Sequence, residues 1–190
     1  MNVVERAILF ATEAHKGQAR KIRGTPYILH PMEVAAIIAT MTTDPETMAA
    51  GVLHDTVEDC GVDPREIKEQ FGARVAALVQ SESEDKLADR PPEETWQQRK
   101  EESLLMLQHT KDREVKILWL ADKLANLRSF YREYLREGDA LWQRFHQKDP
   151  AMQAWYYRTV ADCVPELSDT AAYAEYIQLT HLVFGKGEET

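Results

Sequence analysis

Four residues that could carry out metal or acid–base chemistry lie within six positions of this chain. His54 is followed at once by Asp55, and Glu58 and Asp59 come one helical turn later. An imidazole among carboxylates is what a metal centre with a neighbouring general acid or base requires. The apolar run at 48–53 predicts a helix whose carboxyl-terminal end delivers these groups. If that helix continues, His54 shares a face with Glu58, and Asp55 with Asp59.

A second histidine and another aspartate occur elsewhere in helical contexts. His30 precedes Pro31, which suits the first turn of a helix, and Asp122 lies on one face of an apolar segment with Asn126. Taken alone, the block at His54 is better explained as a solvated acidic helix end. Buried His and Asp side chains need partners or a metal, however, because desolvating an unpaired charge is prohibitive. Two histidines and two aspartates on three predicted helices would satisfy that need.

Helix-start signals recur along the chain and predict an all-α bundle. Asn2, three residues before Glu5, predicts a capping box at the first helix. Three more helices are predicted to start where Asp precedes Pro, because Asp caps a helix and Pro suits its first position. These dipeptides lie at 44–45, 63–64 and 149–150. Longer helices are predicted over 95–109 and 113–137.

Two other segments differ from the rest in composition. The stretch 81–94 is acidic, contains Pro91 and Pro92, and is predicted to be a surface loop, either a plain connector or a mobile lid. The segment 139–185 has aromatic residues at helical spacing, which predicts a packed helical extension rather than a base-stacking surface. These residues are Trp142, Phe145, Trp155, Tyr156, Tyr157, Tyr173, Tyr176 and Phe184.

The composition predicts one soluble domain over residues 1–190. The chain is 44% hydrophobic, which suffices for one core, and its formal charge of −9 disfavours nucleic acid and anionic membranes as partners. Cys60 and Cys163 lie far apart, so no disulfide framework is expected. The amino terminus lacks the pattern of a signal peptide. A reduced, cytoplasmic setting is therefore predicted.

Four motifs occur in order along the chain. They are His15-Lys-Gly-Gln-Ala-Arg-Lys21, Gly24-Thr-Pro-Tyr-Ile-Leu-His-Pro31, His54-Asp-Thr-Val-Glu-Asp59 and Leu120-Ala-Asp-Lys-Leu-Ala-Asn-Leu-Arg128. Together they closely resemble the (p)ppGpp hydrolase domain of RelA/SpoT proteins, within the HD superfamily of metal-dependent phosphohydrolases. The motifs cover about residues 5–130, and the length resembles that of stand-alone small alarmone hydrolases, without a synthetase domain. The resemblance implies a single-domain HD-type helical bundle.

The resemblance also implies a site and a reaction. The implied ligands of one divalent metal are His30, His54, Asp55 and Asp122. That metal is usually Mn²⁺, with Fe²⁺, Zn²⁺, Co²⁺ and Mg²⁺ as alternatives. The implied catalytic pair, which would position and activate the attacking water, is Glu58 and Asp59. The implied nucleotide contacts are Arg20, Lys21 and Asn126. The reaction would remove pyrophosphate from the 3′ position of guanosine tetra- or pentaphosphate.

A basic cluster just before His30 fits an anionic nucleotide. Arg20, Lys21 and Arg23 form the densest positive charge in the first third of this acidic chain, and guanidinium groups suit phosphate oxygens. A solvated basic loop would explain the same cluster.

Two further functions stay open from the sequence. Ile22 stands where these hydrolases commonly have a polar residue, which leaves room for another nucleotide with a 2′ or 3′ phosphate, such as an adenosine alarmone or NADPH. The other alternative is a helical protein that binds a nucleotide without hydrolysing it. The sequence does not predict an oligomeric state.

Overall fold

The fold is described by a computed structural model over residues 1–21, 23–83 and 89–185. Within these ranges the regular secondary structure is helical, and the extended backbone pairs in one isolated bridge, between Ala19 and Pro26. The predicted all-α fold is confirmed. Across the same ranges, none of the helices combines the length and apolar character needed to cross a bilayer.

The helices follow one another with short connections. They are α1 (Val3–Ala14), α2 (Leu29–Ile38), α3 (Pro45–Leu53), α4 (Thr56–Cys60), α5 (Pro64–Phe71), α6 (Ala73–Glu82), α7 (Pro92–His109), α8 (Arg113–Glu137), α9 (Pro150–Cys163) and α10 (Ala171–Phe184). Two 3₁₀ helices lie at Gly138–Arg144 and Pro165–Leu167.

The side-chain caps predicted from the sequence form at the helix starts. The Asn2 backbone N–H donates to the Glu5 carboxylate at 2.8 Å, and the Glu5 backbone N–H donates to the Asn2 side chain at 2.9 Å. The carboxylates of Asp44, Asp63 and Asp149 each accept from backbone N–H groups at the starts of α3, α5 and α9. Proline occupies the first position of each of these helices, so local sequence determines where they begin.

The chain forms two compact units. The first contains α1 to α6 and residues 112–125, which include the beginning of α8. The second contains α7, the remainder of α8 from Asn126, α9 and α10. In the second unit Trp142, Tyr156, Tyr157 and Tyr176 are buried, as predicted for a packed helical segment, and the remaining predicted aromatic residues are half-buried. The boundaries of a single domain over 1–190 stay a prediction.

Helix α3 is the central element of the first unit. It packs against α1, α2 and α6, and Ala49, Ala50, Val52 and Leu53 are fully buried. A Cβ at Gly51 would overlap Cδ1 of Ile38 on α2, so a larger residue there would require the end of that side chain to move. The packing of α2 against α3 brings the start of α2 close to the end of α3, and these ends carry the two predicted histidine ligands.

The prediction that 81–94 is a surface loop is wrong at both ends. Helix α6 continues through Glu82 and α7 begins at Pro92, three residues before the predicted start. Glu82 is buried, because it pairs with a lysine described below. Residues 84–88, where a lid was one alternative, lie outside the described residues, as does Ile22.

Candidate metal centre

His30 lies in the first turn of α2 and is buried. Its Nε2 atom is 2.9 Å from Oδ1 of Asp122 and 3.7 Å from Oδ2 of Asp55. Burial lowers the pKa of His30 below its ordinary value, against the opposing effect of the Asp122 carboxylate. The imidazole is therefore neutral near pH 7, which is the form that binds metals.

His54 follows the last residue of α3 and is only 2% exposed. Its Nδ1 atom is 2.8 Å from the backbone oxygen of Gly51. Because a carbonyl oxygen only accepts hydrogen bonds, Nδ1 carries the hydrogen and Nε2 of the neutral ring carries a lone pair. A histidine that binds a metal through one ring nitrogen typically donates the hydrogen on its other ring nitrogen to such an oxygen.

The Nε2 atom of His54 provides a direct test of whether a metal fits here. It is buried and has no hydrogen-bond partner among the described residues, although Oδ2 of Asp55 lies 3.0 Å and Oδ1 of Asp122 3.5 Å away. These oxygens are near enough but are not aligned as hydrogen-bond partners. A nitrogen lone pair and carboxylate oxygens at such distances repel each other unless a cation lies between them. The arrangement therefore fits a metal site.

The four predicted ligands come together in the first unit. One ligand atom each from His30, His54 and Asp122 lies within 4.8 Å of the others, and all three residues are buried. The Asp55 carboxylate adds an oxygen at 3.0 Å from Nε2 of His54. Residues far apart in the sequence thus present a mixed set of nitrogen and oxygen atoms to one point. Their assignment as ligands stays a prediction.

The charges of the cluster favour a cation. Burial opposes ionisation of Asp55 and Asp122, yet the pKa of Asp55 is lowered by the His54 imidazole and that of Asp122 by the Lys123 ammonium and His30. Burial likewise opposes the charged form of His54, but the two carboxylates raise its pKa well above the ordinary value. Negative charge concentrated at one buried point attracts a proton or a metal ion by the same physics.

Two buried charged residues behind Asp122 were missed by the sequence analysis. The Lys123 ammonium donates to Oδ2 of Asp122 and to Oε2 of Glu82 at 3.2 Å, and lies 4.6 Å from the centre of the Trp119 ring. Asp122 thus directs one oxygen toward the histidines and the other toward Lys123. No local pattern indicates the pair between Lys123 and Glu82, because the two residues are 41 positions apart.

The predicted helix over the apolar run ends just before the His54 block, so its carboxyl-terminal end delivers these groups as expected, and a short helix follows. Helix α3 ends at Leu53 and α4 begins at Thr56. His54 bonds to the Gly51 carbonyl, and the Thr56 hydroxyl donates to the Leu53 carbonyl at 2.7 Å. These side-chain bonds compete with the backbone bonds of a continuous helix. The condition under which His54 and Glu58 would share a face, one helix that continues through the block, is therefore not met.

Asp59 is nevertheless connected to the cluster, through Tyr27. The Tyr27 hydroxyl lies 2.7 Å from Oδ2 of Asp55 and 3.2 Å from Oδ2 of Asp59. Burial and the carboxylates of Asp55 and Asp59 raise the pKa of Tyr27 well above its ordinary value. The phenol thus remains a hydrogen-bond donor at neutral pH. Asp59 itself is exposed and Glu58 is half-buried.

The predicted nucleotide contacts differ in how they relate to the cluster. The Arg20 guanidinium lies 5.5 Å from the centre of the Tyr27 ring, which brings it close to the predicted ligand Asp55. Lys21 is exposed beside it. Asn126 is half-buried on α8, one helical turn beyond Asp122, in the part of that helix assigned to the second unit.

Comparison with protein families identifies this arrangement. A family model described as an HD domain matches residues 7–151, a range that contains all the predicted site residues. The chain belongs to the HD-domain family. The HD domain implies a divalent metal, and the buried cluster of two histidines and an aspartate is present for it.

Several curated relatives of this HD domain are named for the same hydrolysis reaction. The chain is 40% identical over 128 residues to guanosine-3′,5′-bis(diphosphate) 3′-pyrophosphohydrolase of Aquifex aeolicus. The aligned residues are 67% of this chain and 18% of that protein. It is 38% identical over 130 residues to the protein of the same name from Vibrio cholerae, covering 68% of the chain and 18% of that protein. The chain therefore spans about a fifth of the length of these relatives.

Solved structures resemble the HD domain over most of its length. The protein lmo0812 of Listeria monocytogenes has a TM-score of 0.72 and 30% identity, covering 83% of this chain and 99% of its own. A metazoan ortholog of SpoT, described as hydrolysing ppGpp and acting in starvation responses, has a TM-score of 0.74 and 24% identity, covering 94% of both chains. The second likeness concerns the fold alone.

Proposed function

We propose that this HD domain is a metal-dependent pyrophosphohydrolase that removes the 3′-pyrophosphate from guanosine polyphosphate alarmones, (p)ppGpp. The observation that carries the proposal is the cluster of buried His30, His54 and Asp122 with half-buried Asp55. The Tyr27 hydroxyl connects Asp55 of this cluster to the Asp59 carboxylate. The curated relatives named for this reaction support the choice of substrate.

In this proposal the four clustered residues hold one divalent metal, Mn²⁺. Imidazole nitrogens together with carboxylate oxygens suit Mn²⁺, and also Fe²⁺, Zn²⁺ or Co²⁺, whereas Mg²⁺ prefers oxygen ligands alone. When bound, the metal supplies Lewis acidity, which makes water a better nucleophile near neutral pH and stabilises charge on phosphate oxygens.

The remaining residues act on water and on the nucleotide. Asp59, exposed beside the cluster, would accept the proton of the attacking water, and Glu58 would orient that water. The planar guanidinium of Arg20 would bind phosphate oxygens, assisted by the Lys21 ammonium. The Asn126 amide would bond the ribose or the base. Hydrolysis breaks the bond between the 3′ oxygen and its phosphorus, so the released pyrophosphate carries the oxygen of water.

Turnover by the purified protein tests the function. With Mn²⁺ and ppGpp, we expect release of pyrophosphate and GDP, and we expect His54→Ala and Asp55→Ala to abolish both turnover and Mn²⁺ binding. Asp59→Asn should instead keep Mn²⁺ binding and lower kcat by about 10²–10⁴-fold, because only the proton acceptor is removed. Turnover that survives both chelation of the metal and the His54→Ala change would contradict the mechanism.

The choice of nucleotide needs a separate comparison. Ile22 in the basic segment keeps an adenosine alarmone or NADPH as the alternative substrate. The kcat/KM values for ppGpp, pppGpp, ppApp and NADPH should rank the guanosine compounds first. A higher value for NADPH or ppApp would retain the metal chemistry and replace the proposed substrate, and tight ppGpp binding without turnover would indicate a binding protein.

We further propose that the protein acts in the cytoplasm. Cys60 and Cys163, both within the described part of the chain, form no disulfide, which suits a reducing compartment. Tracking a fluorescent fusion in cells would test this location.

A further inference from the structure

We propose that Tyr27 is a positioning residue for the hydrolysis, whose hydroxyl connects the predicted metal ligand Asp55 to the predicted proton acceptor Asp59. This inference deepens the proposed function and rests on it. The hydroxyl is 2.7 Å from Oδ2 of Asp55 and 3.2 Å from Oδ2 of Asp59. A phenol has one hydrogen, so the shorter bond to Asp55 is the stronger and Asp59 receives the weaker branch. The hydroxyl thereby keeps the two carboxylates at a fixed separation.

Tyr27 is itself held in place from two directions. Its ring stacks on the buried His15 ring, with 4.8 Å between ring centres and an interplanar angle of 24°. Its backbone N–H donates to the backbone oxygen of Gln18 at 3.0 Å. A ring fixed at its face and at its backbone has little freedom to carry the hydroxyl away from the carboxylates.

The Gln18 side chain bonds the backbone of Asp59. Its Nε2 atom donates to the Asp59 carbonyl oxygen at 3.0 Å, so its Oε1 atom is left to face Nδ1 of His15, 2.8 Å away. Asp59 is therefore held at its backbone by Gln18 and at its side chain by Tyr27. His15, Gln18 and Tyr27 belong to the first two sequence motifs, and the proposed reaction gives them no other task.

The Tyr27 ring also contacts the His30 ring edge-on, with 5.9 Å between ring centres, and a further neighbour of the ring makes one substitution informative. The Arg20 guanidinium lies 5.5 Å from the ring centre, within the range of a cation–π contact. Tyr27→Phe keeps the ring beside both Arg20 and His15 and removes only the hydroxyl. Any change in this variant therefore reports on the bonds to Asp55 and Asp59.

Tyr27→Phe should weaken Mn²⁺ binding and slow the reaction without weakening substrate binding. Loss of a residue that orients a metal ligand typically lowers metal affinity or activity by about 10–100-fold. We expect a decrease of that size in Mn²⁺ affinity, measured by calorimetric titration, and in kcat at saturating Mn²⁺, with KM for ppGpp nearly unchanged. Tyr173→Phe, which changes a half-buried tyrosine of the second unit, should leave all three values unchanged. A Tyr27→Phe protein that binds Mn²⁺ as tightly as wild type would overturn the proposal.

A double-mutant comparison shows whether Tyr27 acts through Asp59. In an Asp59→Asn background, Tyr27→Phe should lower kcat at saturating Mn²⁺ much less than it does in the wild type, because the group that it positions is already lost. An equal decrease in both backgrounds would refute that part of the inference.

Gln18→Glu tests the backbone contact without touching Asp55. It replaces the amide that donates to the Asp59 carbonyl by a carboxylate, so kcat should fall while Mn²⁺ affinity stays near the wild-type value. A wild-type kcat in this variant would exclude Gln18 from the arrangement. If the wild-type protein fails to hydrolyse ppGpp, the proposed function fails, whereas the Mn²⁺ affinity of Tyr27→Phe still decides whether Tyr27 holds Asp55.

Discussion

In this site, different atoms of the same side chain make different contacts. His54 uses Nδ1 to bond the Gly51 carbonyl and leaves Nε2 facing the carboxylates. Asp122 turns Oδ1 toward the histidines and Oδ2 toward Lys123. Such outer contacts fix the tautomer and the rotamer of a ligand before any metal binds, which reduces the entropy lost on binding.

Lys123→Met should weaken metal binding by about 10–100-fold, because it frees the second oxygen of Asp122. The same change leaves Glu82 buried without its cation, and removing one partner of a buried pair destabilises a protein by about 3–5 kcal/mol. Burial already raises the pKa of Glu82 to about 7 against the effect of Lys123, so protonation would relieve part of this loss. Mn²⁺ titration and urea unfolding measure the two effects.

The double variant Lys123→Met with Glu82→Gln separates the effect of Lys123 on the position of Asp122 from its effect on the free energy of unfolding. Replacing the buried carboxylate by a neutral amide should restore much of the free energy of unfolding, while Mn²⁺ affinity should remain low. Wild-type Mn²⁺ affinity in the double variant would mean that Lys123 supports the fold and not Asp122.

At the scale of elements, an ion pair ties α6 to the start of α8 within the first unit. Arg74 donates to both carboxylate oxygens of Asp112, with 2.8 Å between Nη2 and Oδ1, and also reaches Glu114 at 3.4 Å. Oδ1 of Asp112 in turn accepts from the backbone N–H of Glu114 in the first turn of α8. This contact fixes the beginning of the helix that carries Asp122.

Asp112→Asn should remove an acid-sensitive part of the stability. The hydrogen bonds from Arg74 lower the pKa of Asp112 to about 2, below its ordinary value of 3.8. A lowered pKa stabilises the folded state above about pH 4, and this stabilisation is lost as the pH falls toward 2. Because the pair is about one-third exposed, we expect a loss of about 1 kcal/mol. Urea midpoints of wild type and variant should therefore converge as the pH falls from about 5 to about 2.

A matched control is available at the start of α5. Asp63 forms a similar cap and pairs with Arg65, but this pair is much more exposed, so Asp63→Asn should change the pH dependence less. If the urea midpoints of wild type and Asp112→Asn remain equally separated from about pH 5 to about pH 2, ionisation of the pair between Arg74 and Asp112 contributes nothing measurable.

For the whole molecule, the location of the cluster in the first unit links metal binding to folding. All four predicted ligands lie in that unit, within the ranges 1–83 and 112–125. A metal that binds only the folded state stabilises it by mass action. The net charge of −9 adds to this effect, because an acidic chain attracts divalent cations in solution.

Mn²⁺ at about 100 times its dissociation constant should add about 2.7 kcal/mol to the free energy of unfolding of the unit that contains the site. Hydrogen exchange followed by mass spectrometry should show the added protection in α2 and α3, which carry the histidines. His54→Ala should show no gain. Equal protection by Mn²⁺ in that variant would indicate binding to other carboxylates of the acidic surface.

Much of this protein follows from its sequence alone. The starts of α1, α3, α5 and α9 follow from short-range caps, since a side chain and the N–H groups that it satisfies lie within three residues. The choice of His30, His54, Asp55 and Asp122 comes from the four ordered motifs, because these motifs resemble those of the (p)ppGpp hydrolase domain.

Only the tertiary structure decided the contacts that surround the cluster. The interruption at His54, the pairing of Glu82 with Lys123 and the hydroxyl of Tyr27 between two carboxylates each depend on the folded arrangement. The last two join residues far apart in the chain, and the interruption occurs where side-chain bonds outcompete those of a continuous helix. Local propensity carries no information about such partners, because their energies arise only when packing removes the groups from water.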